Sequence, residues 1–342
     1  MNTDALVATA TTLMADNRGL LAMDESTPTC DKRLASVGIA PTPEMRRAYR
    51  ELLVTTPGLG EAISGAILFD ETLDQRTAAG VPFVDVLGAA GIKVGIKVDM
   101  GAKPLALYAG EQVSEGLDGL RERLAGYARR GAQFAKWRAV ITLGDGRPSH
   151  ACIAANAHAL ARYAALCQEA GIVPIVEPEV LMEGEHTLAR CAEVSEQVLH
   201  AVFEQLYHQC VMAEGMLLKP NMVLPGLACA RQDSVDAVAD ATIRTLLRAV
   251  PGAVAGIAFL SGGQSAELAS ARLNAMNVRG AGRLPWPLAF SYARALQQPA
   301  LELWHGDAAR VAIAQQALLH RARCNRAARA GQYSAAMESQ HA

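Results

Sequence analysis

Short apolar segments typical of buried β-strands recur along the whole chain, with helical or loop segments between them. There are eight such segments, and each has polar residues at or just past its C-terminal end. They span residues 19–23, 63–69, 92–97, 134–141, 172–177, 215–219, 256–260 and 286–290. Strands that alternate with helices form parallel sheets with right-handed crossovers. This pattern restricts the chain to the α/β class.

The segments between the strands have helical periodicity, and eight strand–helix units favour a closed (β/α)8 TIM barrel. The helical segments span residues 116–130, 149–170, 186–213, 232–249 and 264–277, and 300–330 closes the chain. An extra N-terminal helix and a long C-terminal helix and tail explain why 342 residues exceed the roughly 250 typical of this fold. We predict one domain over residues 1–342, with a flexible tail at roughly 330–342.

An open doubly wound sheet is the alternative architecture. Its dinucleotide-binding loop joins a strand to a helix. The glycine-rich segment 58–65 instead precedes its strand, so it is a poor loop of that kind.

Composition and charge indicate a globular protein that acts on a small molecule. The chain is 51% hydrophobic, and its interspersed charges sum to −2, which suggests neither disorder nor a nucleic-acid partner. The N-terminus lacks a signal-peptide pattern and no apolar segment approaches 18 residues. We therefore expect a cytoplasmic protein without membrane contact.

The cysteines and histidines favour neither a disulfide framework nor a metal site. Seven cysteines are scattered along the chain without a CxxC pair, which suggests small hydrophobic residues. The eight histidines lie away from the predicted strand ends and show no HxH, HxxH or HxxxH spacing. We expect no metal and no cofactor, and a carboxylate-only magnesium site is the alternative.

The choice of basic residue at the end of the sixth strand indicates a nucleophile. Only six residues are lysines, so arginine supplies the other 26 of the 32 basic residues, yet Lys219 ends segment 215–219. Lysine can lose its proton, whereas arginine cannot. Burial and the cations Lys136 and Arg138, which share one strand face, favour a neutral amine that attacks a carbonyl to form an imine. The alternative is a strand-end lysine whose ammonium reaches solvent.

An imine mechanism also needs an acid–base group. Glu177 and Glu179 in VEPEV and Asp24 in MDEST are the candidates. Repulsion among these carboxylates is expected to raise at least one of their pKa values toward neutrality. The alternative is that EPE forms an exposed turn around Pro178.

Two groups of residues suggest phosphate binding at opposite sides of the barrel mouth. The first group follows strands seven and eight, where glycines and a helix N-terminus suit an anion. Its members are Ser261, Gly262, Gly263, Ser291 and Arg294. The second group is Lys32 and Arg33, just beyond MDEST. Together they indicate a bisphosphorylated substrate.

The chain resembles the class I fructose-bisphosphate aldolases through a series of motifs in the same order. They are GLLAMDEST, ILFDETL, VGIKVD, FAKWR, IVPIVEPE, LLKPNMV, FLSGGQS and FSYARALQ. The resemblance implies an eight-stranded barrel, usually a homotetramer, that acts in glycolysis and gluconeogenesis without a metal. It implies reversible cleavage of fructose 1,6-bisphosphate, a sugar bisphosphate, into dihydroxyacetone phosphate and glyceraldehyde 3-phosphate.

The resemblance also implies a role for each matching residue. Lys219 would form the Schiff base, Glu177 would be the principal acid–base residue, Lys136 would assist it, and Asp24 would complete the catalytic set. The phosphate on the ketone half would lie at Ser261, Gly262, Gly263, Ser291 and Arg294. Lys97 and Arg138 would contact the substrate, and Lys32 and Arg33 would lie by the other phosphate.

The chain departs from the family pattern in three places, one of which is its last residues, ESQHA, where many relatives have a tyrosine that helps proton exchange. Pro28 and Thr29 replace the usual Gly and Ser, which puts the grip on the second phosphate in doubt, and Ala293 replaces a glycine. A methyl group at Ala293 is acceptable if its φ is negative. Two alternative functions stay open: another Schiff-base barrel aldolase that acts on a related sugar phosphate, and a non-catalytic binding protein.

Overall fold

The computed structural model describes residues 2–339, and this part of the chain has ten β-strands and twelve α-helices. The strands are β1 (Gly19–Met23), β2 (Ile63–Leu68), β3 (Lys93–Lys97), β4 (Ala102–Pro104), β5 (Gln112–Ser114), β6 (Phe134–Ile141), β7 (Val173–Val180), β8 (Leu217–Leu218), β9 (Ile257–Phe259) and β10 (Leu288–Tyr292). The helices are α1 (Thr3–Leu13), α2 (Thr27–Ser36), α3 (Pro43–Val54), α4 (Asp70–Leu73), α5 (Phe83–Ala89), α6 (Leu120–Arg129), α7 (His150–Glu169), α8 (Leu188–His208), α9 (Val235–Ala249), α10 (Ala266–Gly280), α11 (Arg294–Trp304) and α12 (Val311–Arg329).

Eight parallel strands close into a barrel in the order β1, β10, β9, β8, β7, β6, β3 and β2. Strand β1 pairs with both β2 and β10, so the sheet has no free edge. The predicted TIM barrel is therefore confirmed, and the open doubly wound alternative is wrong. Strands β4 and β5 form a separate antiparallel hairpin that the sequence pattern does not reveal.

The predicted N-terminal helix, α1, covers the end of the barrel where the strands begin. Leu6, Ala10 and Leu13 form its buried face, with the i, i+4, i+7 spacing of an amphipathic helix. They pack against the side chains inside the barrel, including the ring of Phe134. A Cβ on Gly95 would lie 2.1 Å from that ring, so the neighbouring strand has room for the Phe134 side chain only because it carries glycine there.

Several predicted bounds shift because tertiary packing extends or shortens the strands. Strand β7 continues through EPE to Val180 and is buried throughout, so the exposed-turn alternative is wrong. Strand β8 is only two residues long and ends just before Lys219 and Pro220. Strand β10 extends to Tyr292, which places Ser291 inside the strand instead of after it.

The predicted closing helix, 300–330, is two helices, because the chain turns between α11 and α12 at His305 and Gly306, which both have positive φ. After α12 the chain folds back as a 3-10 helix, Ala335–Ser339, within the predicted tail. Residues 340–342 of that tail lie outside the described residues. No helix within 2–339 is long and apolar enough to cross a bilayer. The seven cysteines are free thiols, and five of them are buried.

Candidate active site

A cavity of about 860 Å³ opens at the carboxyl ends of the barrel strands. All of the site residues predicted from the sequence line it: Asp24, Lys32, Arg33, Lys97, Lys136, Arg138, Glu177, Lys219, Ser261, Gly262, Gly263, Ser291 and Arg294. The carboxyl ends of parallel strands meet at one edge of the sheet, so residues far apart in sequence converge there. The predicted location of the site is therefore where the cavity lies.

Strand register brings the charged residues of neighbouring strands side by side. In the strand register, Lys97 on β3 lies opposite Lys136 on β6, and Arg138 on β6 lies opposite Glu177 on β7. Lys219 follows β8 directly, and its backbone N–H donates to the Val176 carbonyl at 2.8 Å. This hydrogen bond continues the ladder past the last strand residue and fixes where the Lys219 side chain starts.

Two lysines and two carboxylates form a buried network at the base of the cavity. Lys136 Nζ lies 2.7 Å from Asp24 Oδ2 and 2.9 Å from Glu177 Oε2. Lys219 Nζ lies 3.0 Å from Glu177 Oε1, so Glu177 bridges the two amines. Lys219 is only 3% exposed, which excludes the alternative of an ammonium that reaches solvent. We call Asp24, Lys136, Glu177 and Lys219 the buried network.

The expectation that repulsion raises a carboxyl pKa is wrong for this network. Burial alone would raise the pKa of Asp24 and of Glu177, but the ammonium groups of Lys136 and Lys219 hold both below their usual values. Burial would lower the pKa of Lys136, yet Asp24 and Glu177 raise it strongly. The carboxylates are therefore ionised in the substrate-free protein, because each acid lies against an amine and not against another acid.

This charge arrangement predicts how stability depends on pH. The folded-state pKa values of Asp24 and Glu177 are lowered, so the unfolded chain binds more protons and stability falls as the pH drops below the ordinary values of 3.8 and 4.5. Urea unfolding at a series of acidic pH values gives the free energy of unfolding at each pH. This free energy should fall less steeply with decreasing pH in Asp24→Asn than in the parent. The control is Glu169→Gln, which removes an exposed ion pair with Arg121. It should leave the dependence of the unfolding free energy on pH nearly unchanged. An equal slope in parent and Asp24→Asn would contradict this prediction.

Two further ion pairs orient the cations on the wall of the cavity. Lys97 Nζ lies 2.6 Å from Asp99 Oδ1, and Asp99 Oδ2 accepts a hydrogen bond from the backbone N–H of Arg138 at 3.2 Å. Arg138 Nε donates to Glu179, which was considered from the sequence as an acid–base group. Asp99 was not singled out, although its position two residues after Lys97 is visible in VGIKVD.

A buried glutamate that was also not singled out holds Arg33. The Glu25 carboxylate accepts a hydrogen bond from Arg33 and forms an ion pair with Arg50 Nη1 at 2.7 Å. Gln297 Nε2 also donates to Glu25, at 3.1 Å. Glu25 follows Asp24 directly, so the two acids of MDEST serve different groups. Arg33 is thus oriented at the cavity wall by a side chain beneath it.

The change at Pro28 is tolerated by the helix that carries the second basic group. Helix α2 begins at Thr27, so Pro28 lies in its first turn, where a backbone N–H has no partner within the helix. Thr29 Oγ1 lies 3.1 Å from Ser26 Oγ. Lys32 is exposed at the rim of the same cavity.

The predicted phosphate loop after β9 needs its glycines. Gly262 and Gly263 have φ values of +55° and +78°, and a Cβ on Gly262 would lie 2.4 Å from Met182 Sδ. The Ser261 carbonyl accepts hydrogen bonds from the backbone N–H and from Nε2 of Gln264, at 3.1 and 2.8 Å. Gln264 was not singled out from the sequence and braces this loop at the start of α10.

On the adjacent strand, Ser291 is buried, and its Oγ has no hydrogen-bond partner within residues 2–339. Ala293 has a negative φ of −103°, so its backbone accepts the methyl group that replaces the family's glycine. Arg294 is exposed at the start of α11 and points toward Gly263, where a Cβ would lie 3.5 Å from Arg294 Nη2. The five residues of this predicted phosphate group thus share one side of the cavity.

Comparison with known proteins gives a consistent result. A family model described as class-I fructose-bisphosphate aldolase matches residues 5–342. The probable fructose-bisphosphate aldolase class 1 of Xanthomonas axonopodis pv. citri is 54% identical over 334 residues, covering 97% of this chain and 99% of the relative. The chloroplastic fructose-bisphosphate aldolase 1 of Chlamydomonas reinhardtii is 52% identical, covering 99% of this chain and 89% of the relative.

A solved structure shares the fold. It is the fructose-bisphosphate aldolase of Plasmodium falciparum in complex with TRAP and a small-molecule inhibitor, with a TM-score of 0.95 and 46% identity. The match covers 97% of this chain and 95% of that one. Because the family model, the relatives and the solved structure agree over nearly the full length, the chain belongs to the class I fructose-bisphosphate aldolase family.

Proposed function

We propose that this chain cleaves fructose 1,6-bisphosphate reversibly through an imine between Lys219 Nζ and the ketone carbon of the substrate. The products are dihydroxyacetone phosphate and glyceraldehyde 3-phosphate. The observation that supports this proposal most is the buried Lys219 amine, 3.0 Å from an ionised carboxylate at the base of a large polar cavity. A nucleophile and its proton acceptor are thus already in hydrogen-bond contact.

The buried network can perform each proton transfer of the reaction. Glu177 accepts a proton from Lys219, and the neutral amine adds to the carbonyl carbon to give a carbinolamine. Glu177 then protonates the departing hydroxyl, which leaves as water, and the iminium forms. The bond between the third and fourth carbons breaks when a carboxylate takes the proton of the fourth-carbon hydroxyl, and the electron pair moves into the iminium to give an enamine.

Asp24 and Lys136 position and stabilise this chemistry. Lys136 forms ion pairs with both Asp24 and Glu177, so its ammonium lies between the two buried carboxylates. Its ammonium also stabilises negative charge that develops on substrate oxygens in a water-poor site. The enamine is then protonated and hydrolysed, which releases the ketone product and restores the Lys219 amine.

The two ends of the cavity suit two phosphates. Ser261, Gly262, Gly263, Ser291 and Arg294 offer a glycine loop, a hydroxyl and a guanidinium for the phosphate on the ketone half. Lys32 and Arg33 offer two cations at the side formed by α2. Lys97 and Arg138 lie on the wall formed by β3 and β6, and in this proposal they contact the sugar.

The proposed function is tested by trapping the imine. Borohydride added with fructose 1,6-bisphosphate should inactivate the enzyme irreversibly, and mass spectrometry should locate the added mass on Lys219. Omitting the sugar is the control and should leave the enzyme active. Because no step uses a metal, EDTA should leave cleavage unchanged. Loss of activity on chelation, or modification at another lysine, would contradict the proposal.

Arg33 should decide the preference for a bisphosphate over a monophosphate. A charged hydrogen bond contributes about 1.5 to 3 kcal/mol, so Arg33→Ala should lower kcat/KM for fructose 1,6-bisphosphate by roughly 10- to 100-fold. Cleavage of fructose 1-phosphate, which lacks that phosphate, should change far less. Arg231→Ala, at an exposed arginine away from the cavity, is the control for loss of positive charge. Equal losses of kcat/KM on both sugars would mean that Arg33 does not bind the second phosphate.

We further propose that the chain is a cytoplasmic homotetramer and that residues 1–342 form one domain. The barrel supports a single domain, because its strands run from residue 19 to residue 292 and any cut between them would open the sheet. The family resemblance supports the tetramer. Light scattering coupled to size-exclusion chromatography should give four times the 36.1 kDa chain mass.

A further inference from the structure

Three side chains with metal-binding donor atoms meet where the C-terminal segment folds back on α12. His320 and Cys324 are four residues apart on α12, so they share one helix face. Glu338 comes from the 3-10 helix Ala335–Ser339 and lies over that face. One donor atom from each residue lies within 4.8 Å of the other two. None of the three lines the active-site cavity.

We propose that His320, Cys324 and Glu338 bind a divalent transition metal of the Zn²⁺ type, which fastens the C-terminal segment to α12. This site goes beyond the aldol chemistry and does not depend on it. An imidazole, a thiolate and a carboxylate are all ligands that Zn²⁺ accepts, and three protein ligands with one water are a common zinc set. The spacings considered from the sequence were those between two histidines, so a His–Cys pair was not among them.

Two of the three distances between the donor atoms suit a tetrahedral ion. Bonds of about 2.0 to 2.3 Å place the ligand atoms of a tetrahedral zinc site roughly 3.3 to 3.8 Å apart. Cys324 Sγ lies 3.5 Å from His320 Nε2, and His320 Nε2 lies 3.8 Å from Glu338 Oε2. Binding therefore needs only small side-chain movements. Helix α12 holds His320 and Cys324 in position, and Glu338 supplies the third ligand.

The surroundings supply an approach from solvent and support for the carboxylate. Cys324 is fully buried, whereas the side chains of His320 and Glu338 are 14% and 23% exposed and form the open side. Arg321 donates to Glu338 Oε2, the oxygen that faces His320 Nε2, so the ion would bind this oxygen through its second lone pair beside the guanidinium. The Tyr333 hydroxyl donates to Oε1 at 2.7 Å. Such contacts to a ligating carboxylate fix its orientation.

Binding must displace the proton of the Cys324 thiol. A coordinated thiol is deprotonated outright, so metal binding forms a metal–sulfur bond and releases this proton to the buffer.

The metal would add a link to a segment that otherwise contacts the helices through Tyr333, whose N–H donates to Asn274, and through Glu338, which pairs with Arg321. Tyr333, Ser334 and Ala335 form one wall of a surface groove of about 720 Å³, whose other walls are the start of α9 and one face of α10. Fastening Glu338 to α12 fixes this wall, and a ligand that binds only the folded state raises stability. The expected effect is on the melting temperature and not on the aldol reaction.

The test uses the full chain after chelator treatment and dialysis, with Co²⁺ as a spectroscopic probe for Zn²⁺. Cys210 is an exposed thiol two residues from the exposed His208 and is the main competitor, so the titration uses Cys210→Ser as the parent. One equivalent of Co²⁺ should produce the visible bands of tetrahedral cobalt and a near-ultraviolet thiolate-to-cobalt band. Zn²⁺ should then abolish both.

Three variants in the Cys210→Ser parent assign the ligands. Cys324→Ser should lose the thiolate band, and His320→Gln and Glu338→Gln should each weaken binding at least about 10-fold. Glu338→Gln changes a partly exposed side chain, so it keeps the test informative if Cys324→Ser does not fold. Zn²⁺ should raise the melting temperature of the parent and not that of Glu338→Gln.

Two outcomes would overturn the metal site. One is a parent with no thiolate band or no rise in melting temperature on adding metal. The other is a thiolate band that persists at full strength in folded Cys324→Ser. Aldolase activity should be the same with and without metal, so a failure of this proposal leaves the proposed function untouched, and an inactive enzyme leaves the metal titration readable.

Discussion

Lys219→Arg should abolish cleavage of fructose 1,6-bisphosphate while the protein still folds. The guanidinium keeps the positive charge that pairs with Glu177, so the buried network is not left with an uncompensated carboxylate. Arginine cannot lose its proton, so it cannot attack the ketone carbon. Loss of a covalent nucleophile lowers kcat by roughly 10⁴-fold or more. Steady-state cleavage and borohydride trapping measure the two consequences separately.

The control for this variant is Lys93→Arg. Lys93 lies at the opposite end of β3 from Lys97 and does not line the cavity, so its replacement should leave both cleavage and trapping unchanged. A Lys219→Arg protein that still forms a borohydride-stable adduct with the sugar would show that another lysine, such as Lys136, is the nucleophile. The position of the adduct in the parent protein would then decide between them.

Glu177→Gln should give the second-largest effect. An amide cannot accept the Lys219 proton or return one to the carbinolamine hydroxyl, so general acid–base catalysis is lost, which is typically about 10²- to 10⁴-fold in kcat. Lys136 keeps Asp24 as a partner, 2.7 Å away, so the fold should survive. Single-turnover kinetics should show that imine formation itself slows, because Glu177 contacts the reacting amine directly.

Glu179→Gln is the matched comparison, because it removes a carboxylate two residues along the same strand. Glu179 contacts Arg138 and none of the buried network, so its loss should affect KM, through Arg138, more than kcat. A fall in kcat as large as that of Glu177→Gln would mean that the two acids share the proton transfers. Rate profiles against pH for both variants would then identify which group titrates.

Patterns local in the chain were enough to predict the strands that carry the site. Segment 134–141 is predicted with the bounds of β6, because eight consecutive residues form a buried strand with a clear start and end. The bounds of β7 and β8 were less accurate. Burial on both faces carries β7 through two prolines to Val180, whereas β8 stops after two residues. Such differences depend on neighbouring strands, which a local pattern does not contain.

The partners of the site residues were harder to predict than the residues themselves. Asp24, Lys136, Glu177 and Lys219 were predicted as members of one site, but their pairing was not. Lys136 was expected to act on Lys219 as a neighbouring cation, yet its own ammonium lies between Asp24 and Glu177. The pKa values of both acids fall for this reason, where repulsion had been expected to raise one.

The sequence by itself determined the fold class, the edge of the barrel that carries the site and the residue types available there. These follow from strand periodicity, from the rule that parallel strands end at one edge, and from the use of lysine in a chain rich in arginine. The tertiary structure alone decided that Glu177 bridges the two amines, that Glu25 holds Arg33 and that Glu338 returns to His320 and Cys324. Each is a contact over a few ångströms between residues whose closeness depends on strand register and chain path. The physical reason is that Coulomb energies and hydrogen bonds depend on these short distances, which sequence spacing does not specify.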